Sequence, residues 1–403
     1  MGKGPDCVWK NHAHFGPNVL PSLDLTDWAS PLKLQFVALK PSAPLGDGIP
    51  PLSSKAHGRP ARKKVINVFQ RMFCLICLMV CVSAGFAWAD VFNMGTGLTS
   101  LETVTVGNPG NAADGVGFGA VDYEYRIGKY EVTAGQYTEF LNAVAANDAY
   151  GLYNTAMWTD AQGCKIQRSG SSGNYTYSVA SDRADRPVNY VSWGDAARFA
   201  NWLHNGQPTG GQGAGTTEEG AYTLSGATTT DALQAVSRNA DWQWAIPSED
   251  EWYKAAYHAG DGATANYWDF PTGTNHLPGN DLGNSDPGNS ATYYDDGYTI
   301  GSPYFCTEVG EHEASASAYG TFDQGGNVRE WHEGKPYNVA RGLRGGCFDL
   351  IVGGMAADYG DFTYPDSESA NVGFRVAQVP EPGVTAVLLL GGASLLRRRR
   401  RQG

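Results

Sequence analysis

The sequence predicts an α+β domain, loop-rich, with few short helices and strands. Two observations carry this prediction. The 403-residue chain holds 52 glycines, 21 tyrosines and 11 tryptophans but only 17% charged residues. That composition suits an aromatic core within irregular backbone better than a helix bundle or coiled coil. The helical patterns are also short, and polar, turn-rich stretches separate them.

The elements follow in chain order. Residues 91–120 are rich in Gly and Asn. In "YEYRIGKYEVT", Tyr123, Tyr125 and Ile127 alternate with charged or polar neighbours, which predicts a strand. Thr133 is placed to cap the helix "AGQYTEFLNAVAA", with Tyr137, Phe140, Leu141 and Val144 on one face. Residues 150–185 read as a long polar surface excursion. "PVNYVSWGDAARFANWLHNG" predicts a short strand, Ser192 as N-cap, a helix buried through Phe199, Trp202 and Leu203, and Gly206 at its end. "GAYTLSG" suggests a hairpin strand within a Gly/Thr-rich stretch. In "WAIPSEDEWYKAAYHAG", Ser248 and Glu251 form a capping box, Trp252, Ala255 and Ala256 face inward, and Gly260 is the stop. Residues 261–320 read as one long loop, of a length that calls for a ligand or metal to tie it down. "GGNVREW", "RGLRGGCF" and a final strand in "NVGFRVAQ" close the domain.

Charge narrows the function classes. Asp90 to Gln378 contains 14 Lys and Arg against 36 Asp and Glu, a net of −22, whereas the whole chain is formally −12. The basic residues collect at the two ends. So acidic a body argues against nucleic-acid binding. It is compatible with calcium, or simply with a well-solvated surface.

Both ends read as addresses. Residues 62–89 run from a basic stretch through an apolar segment, Met72 to Phe86, to Ala87-Trp88-Ala89. This is the pattern of a secretory signal peptide cut before Asp90. Residues 1–61 are Pro-rich and aperiodic, and read as a leader from a start placed too early. Translation is expected to begin at Val65 or Met72; the alternative is a long cytoplasmic region with a signal anchor. At the other end, "VPEPGVTAVLLLGGASLLRRRRRQG" (residues 379–403) places Pro380-Glu381-Pro382 before about 14 apolar residues and five arginines. As a helix that run spans roughly 21 Å, short of the ~30 Å hydrocarbon core. The arginines favour the cytoplasmic side. The tail resembles the PEP-CTERM sorting signal, which implies a membrane protease of the exosortase type as partner. It also implies an exported protein, in the periplasm, on the outer surface or in the extracellular matrix, that touches membrane only through its terminal segments.

Cys7, Cys74, Cys77 and Cys81 fall before the cleavage point, leaving Cys164, Cys306 and Cys347. Export permits a disulfide, and an odd count leaves at least one thiol free or intermolecular. The mature region carries no CxxC, no Cys/His zinc spacing and no HExxH.

"PVNYVSWGDAARFANWL", "WAIPSEDEWYKAA", "GGNVREW", "RGLRGGCF" and "NVGFRVA", in that order, resemble the formylglycine-generating enzyme, or sulfatase-modifying factor, family. The resemblance spans roughly 121–377, within a domain drawn at 90–378. It implies a distorted, loop-rich fold related to C-type lectins, and structural calcium sites. For the first site it implies carboxylates from Asp323 and Glu330 and carbonyls from Gly326 and Val328, with Asp323 where an Asn is more usual. For the second it implies the Tyr293 and Tyr298 carbonyls and the Asp296 carboxylate, with Thr292 at an Asn position. Calcium favours such oxygen donors, six to eight of them at about 2.3–2.6 Å.

The family's enzymes use two cysteines that bind copper and activate oxygen. The resemblance puts those positions at Leu350 and Met355, so no copper is expected, and Cys347 stands at a Ser position. A lone thiol needs a partner to hold copper and a base to act as nucleophile; His332 is the nearest histidine in sequence. Cys347 reads first as a small buried replacement for Ser. Two functions follow. One is a non-catalytic module that binds a glycan, peptide or surface polymer, favoured by the Trp- and Tyr-rich loops. The other is an active oxidase, or other protein-modifying enzyme, with an altered site. A purely structural matrix component would share the first reading's sequence features.

Overall fold

The computed structural model describes residues 101–282 and 288–379. The segments predicted as leader and signal peptide, and nearly all of the predicted sorting tail, lie outside the described residues. The chain divides into two units, 1–85 and 86–403, and all described residues belong to the second.

Five α-helices are described: α1 (Ala134–Val144), α2 (Ala156–Thr159), α3 (Trp193–His204), α4 (Thr230–Ala235) and α5 (Glu249–Tyr257). The ten strands are all short. β1 (Thr103–Val106), β2 (Tyr125–Gly128), β10 (Ala377–Gln378) and β5 (Trp244–Ala245) form one antiparallel sheet in that order. β3 (Ile166–Ser169) and β4 (Thr176–Val179) form a hairpin. β8 (Asp361–Thr363), β7 (Arg341–Arg344), β6 (Arg329–Trp331) and β9 (Val372–Gly373) make the third sheet, in which only β6 and β9 run parallel.

The three main helices start where their caps place them. Thr133, Ser192 and Ser248 each accept from the N3 amide, while Gln136, Asp195 and Glu251 reach back to the cap amide. Each reciprocal pair satisfies two donors that a helix start leaves bare. α1 and α3 bury the predicted stripes against each other. Phe140 meets Phe199 edge-on at 5.3 Å and Trp202 at 5.3 Å, and Phe374 closes on Phe199 at 5.3 Å. All four rings are buried.

Several expectations are corrected. Residues 150–185 are more than a surface excursion: α2, the β3–β4 hairpin and the turns beside them send Leu152, Met157, Cys164, Ile166 and Tyr177 into the main core. Spaced apolar side chains amid polar ones hid this, because a half-buried hairpin shows only every second residue to the core. The first predicted strand begins at Tyr125, and Tyr123 is exposed. "GAYTLSG" forms a single bridge, Tyr222 to Arg238, not a strand. α5 ends at Tyr257, with His258 as its C-cap, before Gly260. The final strand is two strands in two sheets. β9 pairs with β6 and β10 with β2 and β5, and Phe374, Arg375 and Val376 between them are buried.

The long stretch after α5 holds no helix or named strand among its described residues. Isolated bridges hold it instead: His258 to Tyr267, Phe270 to Thr274, Gly279 to Ser290, and Thr292 to Gly326. Side chains complete the backbone pairing. The Tyr293 hydroxyl donates to the Pro278 carbonyl at 2.6 Å, and Asn289 Nδ2 donates to the His276 and Leu277 carbonyls.

Candidate functional site: the Cys347 corner and the cleft beside it

β7 runs into Gly345 (φ 97°) and Gly346 (φ 67°), both in the left-handed region. Only glycine fits here: a Cβ on Gly345 would lie 2.6 Å from the Gln324 carbonyl oxygen, and one on Gly346 2.9 Å from the Gly354 carbonyl carbon. The reversal drops Cys347 into the interior, fully buried. Its thiol donates to Asp349 Oδ1 at 3.0 Å, and Asn371 Nδ2 donates to both Asp349 oxygens at 3.1 Å. Burial pushes the thiol well above its ordinary pKa, and the Asp349 carboxylate pushes it further; Arg329 only partly opposes them. An activated nucleophile shows the opposite shift. His332 does not serve it as a base. That ring is wedged against Gly342 and Gly334, its Nδ1 accepts from the Gly334 amide at 3.0 Å, and its Nε2 lies 4.0 Å from Glu249. Burial, then Arg344 and Arg341, hold His332 well below the usual imidazole range.

The two positions matched to the family's cysteines lie just beyond. Leu350 is half-buried; its amide donates to the Cys347 carbonyl at 3.0 Å and its carbonyl accepts from Tyr294 at 2.9 Å. Met355 ends a 3-10 turn, Val352–Met355, and is fully buried among Phe270, Ala291 and Tyr293. Cys164, Cys306 and Cys347 are all buried and free.

The residues after Met355 line an open cleft of about 520 Å³. Ala356, Ala357 and Asp358 line it together with Asp114, Tyr253, Tyr267, Trp268 and Asp269. A second hollow of about 450 Å³ shares Ala265, Tyr267 and Trp268. Hydrogen bonds brace the cleft. Asp114 Oδ1 accepts from the Val116, Gly117 and Phe118 amides at 3.0, 2.8 and 2.9 Å, and its Oδ2 accepts from the Tyr253 hydroxyl at 2.5 Å. Burial alone would raise the Asp114 pKa, but these four donors together hold it below its ordinary value. Tyr267 donates to the Ala112 carbonyl and accepts from Asn111. The Arg344 guanidinium, paired with Glu249 at 2.7 Å, lies over the Phe118 and Tyr253 rings. Fixed aromatic faces beside carboxylates can stack on a ligand and accept its hydrogen bonds.

A buried charged core lies behind the Cys347 corner. Glu330 accepts from Arg375 Nε at 2.6 Å and Nη2 at 2.7 Å, and from Trp252 Nε1 at 2.8 Å. Asp323 (φ 58°) accepts from the Gly310 amide at 2.5 Å. Glu131 is 1% exposed and its Oε1 has no hydrogen-bond partner. Burial, then Asp323 and Glu330, push Glu131 well above the carboxylate range, and burial pushes Asp323 up to about 6. In charge, these residues fit a divalent cation. In arrangement they offer less: Glu330 is taken up by Arg375 and Trp252. Among the described residues no group of three or more His, Cys, Asp or Glu is placed to hold a metal. Of the second set, Tyr293 gives its carbonyl to Thr299 Oγ1 at 3.1 Å, Asp296 and Tyr298 are exposed, and Thr292 bonds Thr307 and His312.

Residues 106–380 match the model of the sulfatase-modifying factor enzyme 1-like domain. The chain belongs to this family. Its sulfatase-modifying-factor-like domain is also similar to solved structures. One is described as the crystal structure of CarF, at 19% identity, covering 70% of this chain and 99% of that one, with a TM-score of 0.41. Another is Treponema denticola variable protein 1, at 17% identity, with 72% and 98% covered and a TM-score of 0.40. A third is PvdO from Pseudomonas aeruginosa, at 16%, with 72% and 97% covered and a TM-score of 0.36. A comparison with curated proteins finds no match.

Sequence reasoning about this sulfatase-modifying-factor-like domain missed the cleft and Glu131. Asp114 sits in the Gly/Asn-rich approach, more than 130 residues before Tyr253, and nothing local pairs them. The adjacent aromatics Tyr267 and Trp268 in a polar loop were the one available signal. Glu131 stands alone in "KYEVT", with its acidic neighbours far along the chain.

Proposed function

We propose that this domain is an exported, non-catalytic binding module, and that the cleft beside Met355 takes a glycan, peptide or surface polymer. One contrast carries the reading. The only thiol in the motif is enclosed and held protonated, first by burial and then by Asp349, whereas Tyr253, Tyr267, Trp268 and three aspartates line open space. Leu350 and Met355 supply no thiolate where the family's enzymes have two.

Arrays of glycans and peptides, followed by calorimetry on hits, test this proposal. Trp268→Ala should weaken a hit at least about tenfold, the loss of one stacking face. Copper-dependent oxygen consumption with a Cys-x-Pro-x-Arg peptide, abolished by Cys347→Ala, would overturn the reading in favour of an oxidase.

Export through the two terminal signals is part of the same proposal. Support comes from the order of basic, apolar and A-x-A segments at one end and of Pro-Glu-Pro, apolar and arginine segments at the other. Mass spectrometry of protein from a host carrying an exosortase-type protease should find a chain starting at Asp90 and cut near Pro380. Calcium at Asp323, Gly326 and Val328, aided by the unpartnered Glu131 Oε1, is proposed on the surplus of buried carboxylates over Arg375. Added calcium should raise the melting temperature of the chelator-treated protein; an unchanged melt would remove calcium from the account.

A further inference from the structure

Trp268 is half-buried and lines both the open cleft and the smaller hollow beside it. Among the described residues its indole meets no other ring, joins no hydrophobic cluster and donates no hydrogen bond. Tyr267 also lines both hollows, and the His258 ring braces it edge-on at 5.1 Å. Spaces of about 520 and 450 Å³ thus share one aromatic pair. The charge of the lining is one-sided. Asp114, Asp269 and Asp358 line the cleft and Asp261 the smaller hollow, and among the described residues no Lys, Arg or His lines either. Arg344, over the Tyr253 ring, is already paired with Glu249. Asp269 and Asp358 are exposed and, among the described residues, make no ion pair. Carboxylates without a balancing cation repel anionic ligands and draw in cationic ones.

We propose that the two hollows are adjacent subsites of one groove, and that its ligand is an oligosaccharide of amino sugars whose amino groups are free. The inference rests on the reading of the cleft as a binding site and narrows its ligand. A sugar's apolar face stacks on the unpartnered Trp268 indole, whose N–H is open to a ring oxygen. An ammonium group on the sugar is attracted by the negative face of the indole and by Asp269 and Asp358. Because both subsites border Trp268, a chain of two or more units gains contacts that a single sugar does not.

A basic peptide carries the same charge but fits less well, because the main chain around the groove is already paired. The Trp268 amide donates to the Tyr257 carbonyl at 2.8 Å, Ala259 to Asn266 at 2.9 Å, Phe270 to Thr274 at 3.1 Å and Ala357 to Asp269 at 2.9 Å. The Asp269 amide donates to Asn275 Oδ1 at 2.9 Å. With these donors used, an extended peptide has little backbone to pair with. A sugar needs only ring faces and side-chain acceptors, which the groove supplies. Chains bearing uronate, sulfate or phosphate meet the aspartates and are turned away.

Calorimetry of the full chain with glucosamine oligomers, their N-acetylated counterparts, galacturonic acid oligomers and a lysine-rich peptide tests this. The glucosamine tetramer should bind at least about tenfold more tightly than the monomer and than the N-acetylated tetramer. The galacturonic acid oligomers should give no binding heat. Asp269→Asn and Asp358→Asn, both at exposed positions, should weaken the glucosamine tetramer several-fold more than its N-acetylated counterpart, whereas a merely structural loss would weaken both alike. Equal affinity for amino and N-acetylated chains, equal affinity for monomer and tetramer, or glucosamine binding that Trp268→Ala leaves unmoved would overturn the proposal. If the peptide binds in a Trp268-dependent way and no amino sugar does, this inference falls while the cleft remains a binding site. If no ligand of any class depends on Trp268, both fall.

Discussion

Arg375 grips Glu330 through two nitrogens, at 2.6 and 2.7 Å, with neither side chain exposed to water. The guanidinium also donates to the Gly128 and Phe322 carbonyls, each at 2.9 Å. It thereby joins β2, β6 and the stretch before β6. Removing one partner leaves the other charged, buried and unpaired. Arg375→Ala or Glu330→Ala should cost about 3–5 kcal/mol, read from urea unfolding. By comparison Lys129→Ala, which breaks the exposed pair with Glu102, should cost no more than about 1 kcal/mol.

Stability should fall as pH rises through the neutral range, in part because of Glu368. Its carboxyl is pushed up from 4.5 to about 8, first by burial and then by the charge of Asp195. Below 4.5 the group is protonated in both folded and unfolded chains. Between 4.5 and about 8 only the folded chain keeps the proton, so each increment of pH favours unfolding; above that window the contribution is flat. Urea melts at about pH 5 and about pH 9 should show a smaller loss for Glu368→Gln than for the wild type.

Gly342 is the tightest point of β7. A Cβ there would lie 2.1 Å from the His332 ring, which is buried and braced by Gly334 and Glu249. Gly342→Ala should cost at least about 1–3 kcal/mol by overpacking. The cost should shrink in a His332→Ala background, because the obstructing ring is gone. Additive losses in that double-mutant cycle would refute the steric account.

Ser248→Ala removes the side chain that accepts from the Glu251 amide at the start of α5, and should cost about 1 kcal/mol. Glu251→Ala should cost several times more. Its carboxylate is bound not only to the Ser248 amide but also to Arg238 at 2.8 and 2.9 Å and to the Tyr123 hydroxyl at 2.5 Å. Thermal melts of the two variants side by side decide it.

These contrasts also explain how much of the protein was legible in its sequence. The caps at Thr133, Ser192 and Ser248 and the stripes of α1 and α3 depend on residues three or four apart, so short windows reveal them. The strands are two to four residues long, too short for alternation to declare itself, and one run of seven residues serves two sheets. The candidate site was legible only by resemblance at Leu350 and Met355. Its wall is assembled from Asp114, α5, the loop at Tyr267 and the residues after Met355, and only the folded backbone brings these together.

The divided pairing of β9 and β10 bears on how the domain is made. β10 lies in the middle of its sheet, between β2 and β5, yet among the described residues it is nearly the last to leave the ribosome. Until it arrives, β1–β2 and β5 have no common neighbour. The cavity meant for Phe374 stays open, and Glu330 waits in the interior for Arg375. A single late segment thus works as a zip fastener, closing two sheets and neutralising the core in one step. The domain should remain unfinished, and open to proteases, until the segment through Gln378 has taken its place.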